Sequence, residues 1–200
     1  MSVRLIDYSY EELANALYTK GKLDGYNKIT DKTKWREPVM AEKLGHVAHK
    51  KISAGKGKDE YGSDAYDSKK SIFSEYKTKA IVEKELKNLF EEEKTFKNGK
   101  TKKFTPLKVT GVYNGFNSNF EVASKKYAEI DHYIGVFFEE LCVLIIKVNT
   151  DYVMNTLISN YHKFVEKGKK GSTNLNSVDV NLRDTHLYEV AYKKELFFAN

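Results

Sequence analysis

Four acid-x-lysine triplets are the segments of this sequence best suited to metal-ion or phosphate chemistry. They are Asp67-Ser68-Lys69, Glu75-Tyr76-Lys77, Glu85-Leu86-Lys87 and Glu92-Glu93-Lys94. Because 31% of the chain is charged, such triplets arise by chance, and only their context separates them. The run from Ser71 to Thr78 is rich in β-forming residues and predicts a strand. On that strand Glu75 and Lys77 would share one face, about 6.6 Å apart.

Asp64 is the acid that best completes a site with Glu75 and Lys77. It lies eleven residues before Glu75, beyond a predicted turn, as a neighbouring strand would place it. Mg²⁺ keeps several of its waters, so two carboxylates suffice, and the peptide carbonyl of Tyr76 would add an oxygen ligand. Lys77 would stabilise charge developing on a phosphate, or orient or deprotonate the attacking water. A structural ion pair is the alternative explanation, since charges on a strand are costly to bury without partners.

Helical periodicity appears in several segments that would flank this strand. Ser9 and Glu12 form a capping box for the first helix, and Gly21 and Gly45 are predicted to end the first two. The predicted helices span residues 9–20, 36–44, 81–92 and 120–131, followed by one that Thr150 or Asp151 caps.

Further strands are predicted by apolar runs and by alternating patterns. The apolar runs on either side of Glu139-Glu140 predict a hairpin whose second strand is central, and alternation at Val178, Val180 and Leu182 predicts an edge strand. The other candidate strands span residues 46–53, 107–113 and 186–192. Together with the helices, these elements predict an α/β domain with a mixed sheet flanked by helices, and the length fits one domain, residues 1–200.

The charge distribution favours an anionic partner. The net charge is +6, from 34 basic and 28 acidic residues. Lysines cluster in two predicted loops, where flexible contacts to phosphate are expected, and Lys102 and Lys103 are candidates for such contacts. The two groups are Lys94, Lys97, Lys100, Lys102, Lys103 and Lys108, and Lys163, Lys167, Lys169 and Lys170.

Several classes of protein are disfavoured by the composition. The single cysteine, Cys142, excludes an intrachain disulfide and a cysteine-based zinc site, and suits a reducing cytosol. The amino-terminal residues lack the apolar core of a signal peptide, and the longest apolar run is about six residues, well below what a membrane helix needs. A cytoplasmic protein without a membrane partner is therefore expected.

The segment from Gly62 to Asp67, followed by Glu75-Tyr76-Lys77, resembles the active site of PD-(D/E)xK type II restriction endonucleases. It is most similar to the PvuII branch, in which an Asp-Ala-x-Asp segment precedes a Glu-x-Lys strand. The resemblance covers roughly residues 40–190 and is sharp over residues 62–77. It implies a restriction-endonuclease-like mixed central sheet flanked by helices. Residues 1–45 would be a helical part for dimerisation or support, and residues 46–200 the catalytic and DNA-recognition core.

The function implied by this resemblance is Mg²⁺-dependent, sequence-specific hydrolysis of double-stranded DNA that leaves 5'-phosphate ends. A homodimer and a cognate DNA methyltransferase are the partners that it implies besides DNA. The sequence departs from the branch in three ways: the gap between Asp64 and Glu75 is one residue longer, the lysine-rich loop at 94–106 looks like an insertion, and the branch's base-reading histidines are absent.

The residues at the place of those histidines run from Tyr113 to Asn117. Tyr113, Asn114, Asn117 and Asn174 are therefore candidates for contacts with DNA, since asparagine can pair with adenine. Turn formation explains each asparagine at least as well. The DNA sequence that is read should differ from that of the PvuII branch.

Two further acids are candidates for supporting roles near the metal. Asp67 could replace Asp64 as a ligand, although a turn or a supporting contact is favoured. Glu42, on the second predicted helix, would supply an acid to the site as helices do in related nucleases, but a solvated helix surface is the favoured alternative. Two other functions remain open: a DNA-repair or junction-resolving nuclease on the same fold, and a non-catalytic DNA-binding protein.

Overall fold

The structure, a computed structural model, describes residues 9–23, 33–49, 63–90, 93–96, 98–103, 107–113, 119–168 and 176–195. Its helices are α1 (Tyr10–Leu23), α2 (Thr33–Leu44), α3 (Glu83–Phe90), α4 (Phe120–Ala128) and α5 (Thr150–Glu166). Its first five strands are β1 (Val47–Ala48), β2 (Ala65–Asp67), β3 (Ile72–Ile81), β4 (Glu93–Thr95) and β5 (Thr101–Lys103). The others are β6 (Lys108–Val112), β7 (Asp131–Phe138), β8 (Leu141–Val148), β9 (Ser177–Asn181) and β10 (Tyr188–Lys193).

The central sheet has six strands in the order β1-β2-β3-β7-β8-β10. Strands β3 and β7 pair in parallel, and the other neighbours pair antiparallel. Two further two-stranded ribbons accompany this sheet. The β4–β5 ribbon lies within the connection between β3 and β7, whereas the other pairs β6 of that connection with β9, which follows α5. The prediction of an α/β protein with a mixed central sheet flanked by helices is confirmed.

Two apolar clusters cover the two faces of this sheet. On one face α2 buries Val39, Met40 and Ala41 against Tyr76 and Phe137. The cluster on the other face includes buried residues of α4, α5, β6 and β9, among them Tyr127, Leu157, Val109 and Val180, together with Ile134 and Val136 of β7. Alternation along β7 therefore sends neighbouring side chains into different clusters, as expected for a strand that is buried on both sides.

The first two helices follow the predicted signals except at Gly21. The Glu12 carboxylate accepts a hydrogen bond from Ser9 N, and Ser9 Oγ accepts one from Glu12 N, which confirms the capping box. However, α1 continues through Gly21 to Leu23, so that glycine does not end it. Helix α2 begins at Thr33 rather than at residue 36, so Pro38 lies inside the helix, and Gly45 follows the helix at a φ of +68°.

Two later predictions also need correction. The cap of α5 is Asn149, whose side chain accepts hydrogen bonds from the amides of Asp151 and Tyr152, rather than Thr150 or Asp151. The lysine-rich segment contains the short hairpin of β4 and β5, where a loop was predicted. The hairpin around Glu139 and Glu140 is confirmed, with β8 in an interior position of the sheet.

Among the described residues, part of β3 has no paired strand on one side, because β2 is much shorter than β3. Strand β2 has three residues and pairs with Ile72, Phe73 and Ser74, whereas β3 continues to Ile81. We refer to the β2-facing side of β3 from Glu75 onward as the open edge. Backbone groups there need partners other than a β2 strand bond, because unpaired buried amides are costly.

No helix among the residues that the structure describes is long and apolar enough to cross a membrane.

Candidate active site

Asp64 lies immediately before β2, where its backbone and side chain both contact β3. Its amide donates to the carbonyl of Ser74 at 3.0 Å, and its own carbonyl accepts from His49 N at 2.9 Å. The carboxylate Oδ2 accepts a hydrogen bond of 2.6 Å from the amide of Tyr76. At the open edge the Asp64 carboxylate thus accepts the hydrogen bond from the Tyr76 amide that a strand carbonyl would otherwise accept. The residue is 9% exposed, so its carboxylate is almost entirely removed from water.

Glu75 and Lys77 project together from β3, as strand alternation predicts. The ammonium of Lys77 donates to Glu75 Oε1 at 2.6 Å. Their cross-strand partners on β7 are His132 and Ile134. Since Ile134 belongs to the cluster formed with α4 and α5, the pair lies on that face of the sheet. Tyr76, between them, points into the cluster beneath α2.

A second lysine, Lys126 of α4, contacts the other oxygen of the same carboxylate. Its ammonium lies 3.0 Å from Glu75 Oε2 and 4.6 Å from the centroid of the Tyr127 ring. The side chain of Glu75 is 8% exposed, that of Lys77 is 17% exposed and that of Lys126 is 36% exposed. Lys126 is therefore the member of the group that is nearest to solvent.

The electrostatics of the group indicate that Asp64, Glu75 and Lys77 act on one another. Burial and the neighbouring Glu75 carboxylate raise the pKa of Asp64 well above its ordinary value, and the charge of Glu37 on α2 adds to the rise. Burial alone would also raise the pKa of Glu75, but the ammonium groups of Lys77 and Lys126 outweigh it and lower that pKa. The two carboxylates consequently compete for the positive charge available to them.

Lys77 stays charged despite its burial. Burial disfavours its ammonium, but the carboxylates of Glu75 and Asp64 hold the pKa of Lys77 above its ordinary value, and Glu37 contributes in the same direction. The ammonium also lies 5.4 Å from the centroid of the Tyr113 ring, where the aromatic face favours a cation. Lys77 is therefore available as a fixed positive charge rather than as a base.

Aromatic side chains form the inner wall of the site behind Glu75. Tyr113, Tyr127 and His132 pack edge to face or tilted, with ring centroids 5.3 to 6.1 Å apart. His132 Nε2 lies 2.8 Å from the carbonyl of Tyr127, and burial lowers the pKa of this histidine to about 4. It is therefore neutral, with the proton on Nε2. Tyr113 Oη and His132 Nδ1 are both buried and have no hydrogen-bond partner within the described part of the chain.

The residues predicted to contact DNA differ in their burial and in whether the structure describes them. Tyr113 is fully buried in that wall, so contact between its side chain and a base would require this part of the chain to rearrange. Lys102 and Lys103 lie in β5, and Lys103 is exposed. The candidates Asn114, Asn117 and Asn174 lie outside the described residues.

Asp67 and Glu42 are engaged in local contacts. Asp67 Oδ1 accepts from the amides of Lys69 and Lys70 at 2.9 and 3.3 Å, and Oδ2 lies 3.6 Å from His46 Nε2. These contacts are those of a turn residue, the role favoured for it. Glu42 Oε2 accepts from the amide of Tyr10 at 2.8 Å, at the start of α1. This contact places Glu42 at the junction of α1 and α2.

Lys126 and Glu37 are the members of the group that sequence reasoning missed. Lys126 follows another lysine on the same helix, and no local pattern distinguishes the two. Glu42 was the acid of α2 considered for the site, with a solvated helix surface favoured for it, whereas the α2 acid whose charge acts on Asp64 is Glu37. In the sequence, Glu37 was marked out only as a second acid on the same predicted helix, five residues before Glu42.

The donor set fits a small, hard divalent cation. The N–H and C=O of a strand residue point to the same edge, so the carbonyl of Tyr76 faces the open edge where its amide meets Asp64. Two carboxylates and one carbonyl are oxygen ligands of the kind that Mg²⁺ accepts while keeping its waters. A cation there would relieve the repulsion that raises the pKa of Asp64. Within the described part of the chain, no three His, Cys, Asp or Glu side chains converge as a metal-binding group.

Comparisons with known proteins add no relative to this picture: no family model matches the chain, and no curated protein matches it significantly.

Proposed function

We propose that the protein is a Mg²⁺-dependent endonuclease that hydrolyses double-stranded DNA, of the type II restriction class on a restriction-endonuclease-like fold. One observation carries the proposal: the Asp64 carboxylate is fixed by the Tyr76 amide at 2.6 Å, between the positions of Glu75 and Lys77 on β3. This arrangement supports a site in which the two acids and the ammonium act together at the open edge. The structural ion-pair alternative accounts for Glu75 and Lys77 but does not explain a second buried carboxylate beside them.

The chemistry at this edge would be hydrolysis of a phosphodiester by water. Bound Mg²⁺ would supply Lewis-acid polarisation of the phosphate and a more acidic water. Asp64, Glu75 and the carbonyl of Tyr76 would hold the ion. Lys77, kept protonated by its carboxylate neighbours, would stabilise the negative charge that develops on the phosphate, and would orient the attacking water as a hydrogen-bond donor.

The proposed partners follow from the substrate. A net charge of +6 suits a polyanion, and the lysines of the β4–β5 segment would contact its backbone. Cleaving both strands needs one active site per strand, so a twofold homodimer matched to a palindromic site is proposed. A cognate methyltransferase would protect host DNA.

Cleavage of unmethylated phage DNA tests this function. With Mg²⁺ the protein should give discrete fragments with 5'-phosphate ends, and chelation of the metal should stop the reaction. Asp64→Ala and Lys77→Ala should bind DNA but cut it at least about 100-fold more slowly, because each removes a group that acts on the reacting phosphate or water. Lys79→Ala is the matched control for Lys77: it lies two residues along β3, pairs with Glu85 and should cut normally.

Each other outcome points to a different protein. Random smearing would indicate a non-specific nuclease, and cutting of branched but not linear duplexes would indicate a repair or junction-resolving enzyme. Tight, Mg²⁺-stimulated binding without any cutting would indicate a DNA-binding protein that lacks catalysis.

A further inference from the structure

The Glu75 carboxylate has one more cationic partner than a simple ion pair requires. Lys77 occupies Oε1 at 2.6 Å and Lys126 occupies Oε2 at 3.0 Å. Lys77 lies two residues further along the same strand and already neutralises the carboxylate. Lys126 comes from α4, 51 residues further along the chain.

The helix that carries Lys126 is firmly positioned. Asn119 caps α4 by accepting from the amide of Val122, and Ala123 and Tyr127 are buried against the core. At its first residue, Phe120 stacks on Tyr161 of α5 with ring centroids 4.0 Å apart. Because the helix is anchored on both sides of the lysine, the ammonium is held at the mouth of the site while its long stem can still turn.

We propose that Lys126 is a phosphate-binding residue of the active site, whose ammonium moves from Glu75 to the DNA backbone when a divalent cation binds the two carboxylates. The inference rests on the nuclease function proposed above. A cation bound to Glu75 competes with both lysines for the same two oxygens. Lys126 is the one that yields, because its side chain is 36% exposed whereas that of Lys77 is 17% exposed.

The released ammonium would lie where backbone phosphate arrives. An ammonium group donates strong, charge-assisted hydrogen bonds to phosphate oxygens, and the guanidinium of an arginine in its place can do the same. Lys77 would remain beside the metal and stabilise the charge that develops on the reacting phosphate. Lys126 would bind the DNA backbone and so hold that phosphate in position.

Three variants test the assignment: Lys126→Ala, Lys126→Arg and, as the matched control, Lys125→Ala. Lys125 is the preceding residue of α4 and is exposed. Lys126→Ala should slow DNA cleavage by about 10- to 100-fold, as loss of a positioning contact does. Lys126→Arg should restore most of the rate, and Lys125→Ala should cut normally. A normal rate for Lys126→Ala would overturn the proposal.

Calorimetric titration with Mg²⁺ in the absence of DNA separates this role from a structural one. Lys126→Ala should bind Mg²⁺ more tightly than the unsubstituted protein, because a competing cation has been removed from Glu75. Weaker Mg²⁺ binding, or a loss of thermal stability in parallel with activity, would show that Lys126 only supports the fold of the site and would overturn the proposal.

A final measurement does not depend on cleavage. In the Glu75→Gln background Lys126 has lost its carboxylate partner, so it should contact duplex DNA even with the metal chelated. Adding Lys126→Ala should reduce the log–log salt slope of DNA affinity by about 0.9, the contribution of one phosphate contact. Adding Lys125→Ala should not. An unchanged slope would reject Lys126, whereas failure of the unsubstituted protein to cut any DNA would reject the nuclease function alone.

Discussion

At the level of single residues, the site contains buried charges whose lost hydration lowers the stability of the fold. Asp64 and Glu75 are 9% and 6% exposed, and buried carboxylates need partners to offset their lost hydration. Glu75 has two lysines, whereas among the described residues the Asp64 side chain has a single hydrogen-bond partner, the Tyr76 amide. The imbalance suits residues that are kept for binding a cation rather than for stability.

Substitutions at the two acids should therefore change stability in opposite directions. Asp64→Asn keeps an oxygen that can accept from the Tyr76 amide and removes a repelling charge, so the free energy of unfolding at neutral pH should rise by up to about 1 kcal/mol. Glu75→Gln keeps an acceptor oxygen but removes the negative charge that offsets the buried Lys77 ammonium, so it should lower the free energy of unfolding by roughly 3 kcal/mol.

Urea unfolding of the two variants beside the unsubstituted protein gives both values. A marked loss of stability in Asp64→Asn would mean that its negative charge is needed to hold β2 against β3, and would contradict this account of the site.

At the level of elements, the turn between β7 and β8 combines an unfavourable backbone conformation with an ion pair to α2. Glu139 and Glu140 both have positive φ, at 47° and 65°, a region that costs most residues free energy. Such turns normally use asparagine or glycine. Glu140 is nevertheless placed so that its carboxylate pairs with the buried guanidinium of Arg36, with hydrogen bonds of 2.9 and 2.6 Å.

Glycine substitutions in this turn should separate the two effects. Glu139→Gly relieves the backbone at an exposed position, so the free energy of unfolding should rise by up to about 1 kcal/mol. Glu140→Gly relieves it equally but leaves Arg36 buried and unpaired, at a net cost of about 3 kcal/mol. Urea denaturation of both variants measures the difference, and equal effects would show that the Arg36 pair contributes nothing.

What could be predicted from the sequence depended on how local the determining contacts are. Glu75 and Lys77 could be placed on one face because alternation along a strand decides it, and the capping box of Ser9 and Glu12 is likewise a local pattern. Lys126 could not be predicted because its contact with Glu75 depends on where α4 docks. The cap at Asn149 was missed because Thr150 and Asp151 are also good capping residues, so the pattern fitted three adjacent positions.

At the level of the whole molecule, the site lies on an interior strand of the sheet, β3, at the point where its pairing with β2 ends. The six-stranded sheet is covered on both faces, by α2 on one side and by α4, α5 and the β6–β9 ribbon on the other. The charged groups come together where β2 stops and the open edge of β3 begins. The second helix, α2, is part of the core layer on one face, and the charge of its Glu37 contributes to the raised pKa of Asp64.

Cys142 offers a measure of how firmly this layered structure holds together. Its side chain on β8 is fully buried in the cluster with Met40 of α2, and burial raises the pKa of the thiol to about 12. The thiolate is the reactive form, so Cys142 is protected both by its burial and by the raised pKa that keeps the thiol protonated.

At pH 8 a thiol reagent should modify Cys142 only when α2 separates from the sheet, at a rate that follows global unfolding. Stopped-flow labelling across urea concentrations measures this rate, with the unfolded protein as the reference for full reactivity. Rapid, stoichiometric labelling without urea would instead show that α2 detaches on its own, and that the layer it forms over this face of the sheet is a transient one.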